Sequence, residues 1–175
     1  MHLKNAFKYC PGCGKKTLQH NAEENFLFCP FCGFQYFINA SAAVAAIIQD
    51  TEGRILFTVR AKDPAAGMLD LPGGFVDVGE TAEQALHREI KEELGLKLAS
   101  VRYFTSRPNT YTYHGITYNT LDITYICKAE DLKTIEAKDD ITDFVFLYAD
   151  EINPEQLGLA SMKAIISHYL QTYHS

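Results

Sequence analysis

Four of the five cysteines in this chain fall within its first 32 residues, and their spacing limits what that part can become. They read Cys10-Pro-Gly-Cys13, then fifteen residues, then Cys29-Pro-Phe-Cys32, a C-x2-C-x15-C-x2-C pattern with Gly14 and Gly33 after the pairs. Two short Cys loops clamp one tetrahedral ion from opposite sides, and four thiolates are soft ligands suited to zinc. The trailing glycines permit the tight turns and let backbone N–H groups face the sulfurs. The competing use of four cysteines is two disulfides. The opening run Met1-His2-Leu3-Lys4-Asn5-Ala6 has no apolar signal core, so the expected compartment is the cytoplasm, where thiols stay reduced. The expectation is therefore Zn²⁺ held by Cys10, Cys13, Cys29 and Cys32. With every position filled by cysteine no ligand site stays open, so the zinc is structural. It folds a segment of about 35 residues whose core is too small to fold alone.

This segment resembles a zinc ribbon, two Cys knuckles on short β-hairpins. Charge divides the chain at the same place. Residues 1–37 hold Lys4, Lys8, Lys15 and Lys16 against two Glu, net +2, whereas the whole chain is −6, which leaves −8 for the rest. The expected domains are a zinc ribbon over 1–38 and a larger domain over 39–175. A chain of 175 residues, 47% apolar, is long enough for one full domain plus this appendage. The acidic balance argues against a general nucleic-acid or anionic-membrane coat. No apolar run approaches the roughly 20 residues of a membrane span. The ribbon aromatics Phe26, Phe28, Phe31, Phe34, Tyr36 and Phe37 read first as packing. Their alternative use, a platform for stacked bases, draws on the four lysines. Cys127, alone in a strand-like run, reads as a buried apolar residue.

In the larger domain, Ala42 to Ile48 is a continuous apolar run, the pattern of a strand buried on both faces. Asp50-Thr51-Glu52-Gly53 is a turn and Arg54 to Arg60 a second strand, which predicts a hairpin. Pro72-Gly73-Gly74 kinks the chain between short extended pieces. A helix follows, with Thr81 and Gln84 as a capping box, Gly95 as its stop, and Leu86, Ile90 and Leu94 as its core stripe. Strands are expected over Val101 to Thr105, Ile116 to Lys128 and Phe144 to Tyr148. A closing helix over Leu159 to Thr172 would bury Met162, Ile165, Ile166 and Tyr169. Interleaved strands and helices imply the α/β class, a sheet layered with helices.

Glu89, Glu92 and Glu93 stand at i, i+3 and i+4 of the first helix, so three carboxylates share one face beside its apolar stripe. Such crowding is costly without a cation. A hard divalent ion such as Mg²⁺ takes oxygen ligands and keeps positions for water and phosphate. Arg88, one turn from Glu92, is placed to orient a carboxylate. A solvated acidic face is the plainer reading of the glutamates alone.

The wider spacing decides between these. Gly74, five residues, Glu80, seven residues, then Arg88-Glu89-Ile90-Lys91-Glu92-Glu93-Leu94-Gly95-Leu96 fills every fixed position of the Nudix box, G-x5-E-x7-R-E-U-x-E-E-x-G-U. From average residue usage a chance match is roughly one in ten million. With the lead-in Leu71-Pro72-Gly73, the preceding strands and the closing helix, the resemblance to the Nudix family covers about residues 40–172. The resemblance implies a Nudix α/β/α sandwich with a mixed β-sheet, preceded by the small zinc-ribbon β domain. It implies hydrolysis of the diphosphate in a nucleoside diphosphate linked to another group. It implies Mg²⁺ or Mn²⁺ bound by Glu89, Glu92, Glu93 and the Gly73 carbonyl, with Arg88 holding the glutamates and Glu80 bracing the loop. A general base would come from Glu89, Glu92, Asp139 or Asp140, the last two preceding an acid-then-strand segment like the family's.

A four-Cys ribbon before a Nudix domain is similar to the NADH pyrophosphatase branch. That branch carries a Ser-Gln-Pro-Trp-Pro-Phe-Pro-type signature after the box. Here Thr105-Ser106-Arg107-Pro108-Asn109-Thr110-Tyr111 keeps Ser106 and Pro108, and the chain has no Trp. ADP-ribose or a nucleotide sugar is thus as credible a substrate as NADH. Arg60 and Arg107 are candidates for phosphates, and Tyr111 for a base. The expected partner is a small nucleotide-derived substrate, with no membrane, and a homodimer is compatible with the sequence. Two alternatives stand beside this: an RNA-end processing hydrolase whose ribbon grips RNA, and a non-catalytic nucleotide sensor.

Overall fold

The computed structural model describes residues 1–174. The chain divides into two compact units, Met1–Ala40 with Thr110–Asn119, and Ser41–Asn109 with Thr120 onward.

The first unit is built on three short strands, β1 (Gln19–Asn21), β2 (Phe26–Phe28) and β3 (Gln35–Phe37), paired antiparallel in the order β1-β2-β3. Each Cys pair closes a turn of the same form. The Gly14 N–H bonds to the Cys10 carbonyl at 2.8 Å and the Gly33 N–H to the Cys29 carbonyl at 2.9 Å. Both glycines have φ in the left-handed region, +71° and +78°, where a β-carbon would be strained. Residues 110–119 are the tip of a long hairpin and belong to this unit. The Thr117 N–H bonds to the Met1 carbonyl at 2.8 Å, and the N-terminal ammonium to the Gly115 carbonyl at 2.7 Å.

The second unit has two sheets and two helices. β4 (Ser41–Ile48) runs parallel to β9 (Ile116–Ala129) over all eight of its residues and pairs antiparallel with β7 (Gly73–Phe75). β8 (Leu98–Tyr113) completes a sheet of order β7-β4-β9-β8. The other sheet is β10-β5-β6, with β5 (Ile55–Arg60) between β10 (Ile141–Leu147) and β6 (Leu69–Asp70). Helix α1 (Ala82–Leu94) covers one side of the strands and α2 (Ala160–Tyr173) the other. Leu86, Ile90 and Leu94 of α1 pack with Val44, Ala46, Ile48, Tyr125 and Cys127. Met162, Ile165, Ile166 and Tyr169 of α2 pack with Ala45, Ile47, Ile55 and Phe57. The mixed sheet between two helices is the expected α/β/α arrangement. Cys127 is buried, and burial pushes its thiol up to about 12, as suits an apolar packing residue.

Two expectations are corrected. The turn at Asp50–Gly53 forms, with Asp50 Oδ1 accepting from the Glu52 and Arg54 N–H groups, but β4 and β5 are not a hairpin. They share one bridge, Gln49–Ile55, and then part, because both edges of β4 are taken by β7 and β9 and both edges of β5 by β10 and β6. The strand expected over Val101 to Thr105 extends from Leu98 to Tyr113 and contains Pro108. Proline removes a ladder donor, so it is confined to sheet edges, and β8 is the edge of its sheet.

Candidate active site and cysteine cluster

Helix α1 begins where the sequence places it. Thr81 Oγ1 accepts the Gln84 N–H at 3.2 Å, and the Gln84 side chain accepts the Thr81 N–H at 2.8 Å. Gly95 ends the helix at φ +67°. This fixes the rotation of α1, and with it the acid-bearing face.

That face is organised around Arg88. Its Nε and Nη2 donate to the two oxygens of Glu80 at 2.8 and 2.9 Å, a bidentate pair. Nη1 donates to Glu89 at 2.7 Å and to Glu92 at 3.1 Å, and Nη2 also reaches the Phe75 carbonyl at 3.0 Å. Asp77 lies 3.8 Å away. The guanidinium is thus the cation that Glu80, Glu89 and Glu92 face, and they raise its pKa, Glu80 most. In return Arg88 holds the Glu80 carboxyl below its usual range. Glu89 is pushed upward, first by burial and further by the Glu92 and Asp139 carboxylates.

Glu93 points elsewhere. It is 7% exposed, and its Oε2 accepts the Gly73 N–H at 3.0 Å. Burial lifts its carboxyl to about 8, and Glu89, Asp70 and Asp140 add to the rise. Gly73 is required here by contact distance to backbone, and a side chain at Gly74 would displace the Glu89 carboxyl. A β-carbon on Gly73 would lie 2.1 Å from the Val44 carbonyl oxygen, and one on Gly74 would lie 2.4 Å from the Glu89 carboxyl. The two glycines bring the β7 backbone against the carboxylates. Glu89, Glu92 and Glu93 are hard oxygen donors of the kind a divalent cation takes. They are not drawn to one point as the cysteine sulfurs are, since Glu89 and Glu92 turn to Arg88 and Glu93 to the Gly73 N–H.

The remaining candidates are placed as follows. Asp140 pairs with Lys62, and Asp139, at φ +54°, stands in the turn before β10. Arg60 bonds through Nη1 to buried Asp70 at 2.6 Å and through Nε to the Pro64 carbonyl at 2.7 Å. Arg107 donates to Thr105 Oγ1 and the Ser106 carbonyl, and its Nη2 lies 3.3 Å from His168 Nδ1. Tyr111 belongs to the hairpin tip of the first unit, with its ring 6.4 Å from that of Tyr113. The Asp70 and Lys62 partners, and Asp77 beside Arg88, were missed from sequence. No local spacing marks pairs that meet only when β5, β6 and the β10 turn come together.

In the first unit the four cysteine sulfurs lie within 4.8 Å of one another, and all five cysteines of the chain are free thiols. Cys10 and Cys32 sulfurs are 3.6 Å apart, and Cys13 and Cys29 sulfurs 3.8 Å. A tetrahedral ion with metal–sulfur bonds of about 2.3 Å requires sulfur–sulfur edges of about 3.8 Å. The Gly12 N–H points at the Cys10 sulfur, 3.3 Å away. The Thr17 hydroxyl beside Cys29 Sγ pulls that thiol down, while burial and the neighbouring sulfurs push the Cys32 thiol up to about 12. The donor set and its edges fit zinc.

The family model described as "NUDIX domain" matches residues 40–169. A protein named "NAD-capped RNA hydrolase NudC" from Haemophilus influenzae is 36% identical over 108 residues, 61% of this chain and 40% of that protein. One of the same name from Mannheimia succiniciproducens is 28% identical over 159 residues, 88% of this chain and 57% of that protein. The chain thus spans about two-fifths to just over half the length of these relatives. A crystal structure of a NUDIX hydrolase from Nitrosomonas europaea superposes with a TM-score of 0.72 at 22% identity, covering 96% of this chain and 93% of that one.

Proposed function

Because the chain belongs to the NUDIX family, we propose that it is a divalent-metal-dependent hydrolase of the diphosphate bond in nucleoside diphosphates linked to a second group. The observation that carries this is the Arg88 hub, which holds Glu80, Glu89 and Glu92 while Gly73 holds Glu93. A pure binding module has no need of this ordered acid array, which speaks against the sensor alternative.

Glu89, Glu92 and Glu93, with the Gly73 carbonyl, would hold Mg²⁺ or Mn²⁺, and the four cysteines Zn²⁺. A bound divalent ion neutralises diphosphate charge, lowers the pKa of water and aligns nucleophile with leaving group. The chain's own groups set the geometry. Glu80 pins Arg88, Arg88 orients Glu89 and Glu92, and the Gly73 N–H fixes the direction of Glu93. A proton must leave the attacking water. Glu92 is the most exposed acid of the box, with 48% of its side chain accessible. Asp139 and Asp140 stand near enough to act on the carboxyls of Glu89 and Glu93. The base is drawn from these acids and Glu89. Arg60 and Arg107 both stay phosphate candidates, Arg60 paired with Asp70 and Arg107 with Thr105, Ser106 and His168.

The substrate follows from Thr105 to Tyr111. A dinucleotide needs a platform for its second base, and the branch signature for it is mostly replaced. ADP-ribose or a nucleotide sugar should therefore match or exceed NADH in kcat/KM. The test is a Mg²⁺-supplemented screen of NADH, ADP-ribose, nucleotide sugars and capped RNA with product detection. A preference for NADH above about tenfold, roughly 1.4 kcal/mol, would assign the chain to NADH instead. No turnover of any diphosphate would remove the reading. RNA-end processing is the second reading, favoured by the likeness to proteins named NAD-capped RNA hydrolases.

A further inference from the structure

We propose that the ribbon is a docking surface for single-stranded RNA, with the rings of Tyr9 and Phe31 as stacking faces and Lys15 as a phosphate contact. This rests on the RNA-end reading above.

The two rings are the most open of the ribbon's aromatics, Tyr9 60% and Phe31 61% exposed within the whole chain. Both are held by the cysteine turns. Tyr9 immediately precedes Cys10, and Phe31 sits at the tip between Cys29 and Cys32. Lys15 closes the first turn, its carbonyl accepting the Cys10 N–H at 2.8 Å. Its ammonium lies over the Phe31 ring, 3.0 Å from the centroid. A cation from one turn therefore meets a ring from the other, and both are set by short, hydrogen-bonded backbone rather than by long flexible segments. Internal packing accounts for other rings. Phe26 packs with Phe28 at 5.9 Å and with Phe37 at 5.2 Å, and Phe7 with Tyr36 at 5.7 Å. Tyr9 enters none of the ring pairs found among the described residues.

Charge selects the occupant. Residues 1–37 are +2 and the remainder −8, so a polyanion is drawn to the ribbon and repelled by the rest. The ribbon's cations are all lysines, and residues 1–40 contain no Arg. Point charges among open rings suit a flexible phosphodiester with splayed bases. Stacking on rings is tolerant of sequence, so the surface should grip RNA without strong sequence preference.

The test is fluorescence anisotropy of a labelled, uncapped 15-nucleotide RNA with the full zinc-loaded chain at several salt concentrations. Phe31→Ala and Tyr9→Ala should each weaken binding by at least about fivefold, the low end for one lost base stack. Lys15→Glu should weaken binding and flatten its salt dependence. Zinc content is measured in each variant, and kcat/KM for ADP-ribose should not change. Glu92→Gln should leave RNA affinity as it was. If the wild-type chain hydrolyses no diphosphate yet the ring variants lose RNA, the function above falls and this surface stands. Wild-type affinity weaker than about 100 µM, or unchanged affinity in zinc-replete ring variants, overturns it. So does a concentration-dependent dimer that is lost with Phe31→Ala while RNA affinity stays the same, which would assign the rings to a second copy.

Discussion

The two units of this chain gather metal-suited donors in opposite ways. In the ribbon the donors are the core. Cys10 and Cys29 are among its few buried side chains, with Phe26, Leu27 and Ile38, and its strands are three residues long. In the NUDIX unit the acids sit at the edge of a core that is complete without them. Two apolar clusters flank the sheets, and the acids of α1 lie beside one of them. The lesson concerns what a cation does for each. A small unit with little apolar burial depends on its ion to fold, while a larger one can carry a repelling acid cluster at a tolerable cost.

The largest expected effect tests the ribbon side. Stripping zinc with a chelator, or Cys29→Ser, should abolish hydrogen-exchange protection across residues 10–37 and leave the strands around Val44 and Ile55 protected. Structural zinc in small units contributes on the order of 10 kcal/mol. Retained protection after complete loss of zinc would break the comparison at once.

Next come the acids. Glu92→Gln and Glu93→Gln should each lower kcat by about a hundredfold or more with the fold intact, since each removes a charge a divalent ion would need. Without divalent ions the melting temperature of Glu93→Gln should equal or exceed that of the wild type, because the amide replaces a buried carboxyl that resists ionisation. Unfolding of either variant would show that the NUDIX unit also leans on its acids.

A smaller effect is the pH dependence of stability. The buried Glu93 carboxyl titrates at about 8 in the folded chain against 4.5 for an ordinary glutamate. Between these values the folded chain keeps a proton that the unfolded chain has released. Stability from this group therefore falls as pH rises from about 5 to 8. In Mg²⁺-free buffer the melting temperature of Glu93→Gln should gain on the wild type across that range. A constant difference would mean that Glu93 is already ionised at pH 5.

The smallest is the α1 cap. Thr81→Ala should cost about 1 kcal/mol in denaturant unfolding of the NUDIX unit and leave ribbon protection unchanged. A loss above about 3 kcal/mol would mean that the capping turn also anchors the β7 loop.

Much of this was legible in residue order. The Cys turns, the cap of α1, its Leu86/Ile90/Leu94 stripe and the Arg88-to-Glu93 array all depend on contacts within a few residues. Spacing encodes these directly. The apolar faces of β4 and α2 were readable for the same reason. What was not readable involves partners far apart in sequence. Arg60 looked like a free cation for phosphate until β5 met β6 and placed Asp70 beside it. Pro108 concealed the length of β8, since only position in the sheet makes a proline tolerable.

By itself, then, the sequence determined which chemistry each unit can host: four thiols at knuckle spacing, and acids with one arginine on a single helical face. Only the tertiary structure decided how those groups are shared out. Arg88 takes Glu80, Glu89 and Glu92, while Glu93 turns to the Gly73 N–H and becomes buried. It also separated β4 from β5 and assigned residues 110–119 to the ribbon's unit. The physical reason is that helical and turn periodicity is a property of neighbouring residues. Strand partners, buried ion pairs and carboxyl desolvation are instead set by whichever distant segment arrives at the same place.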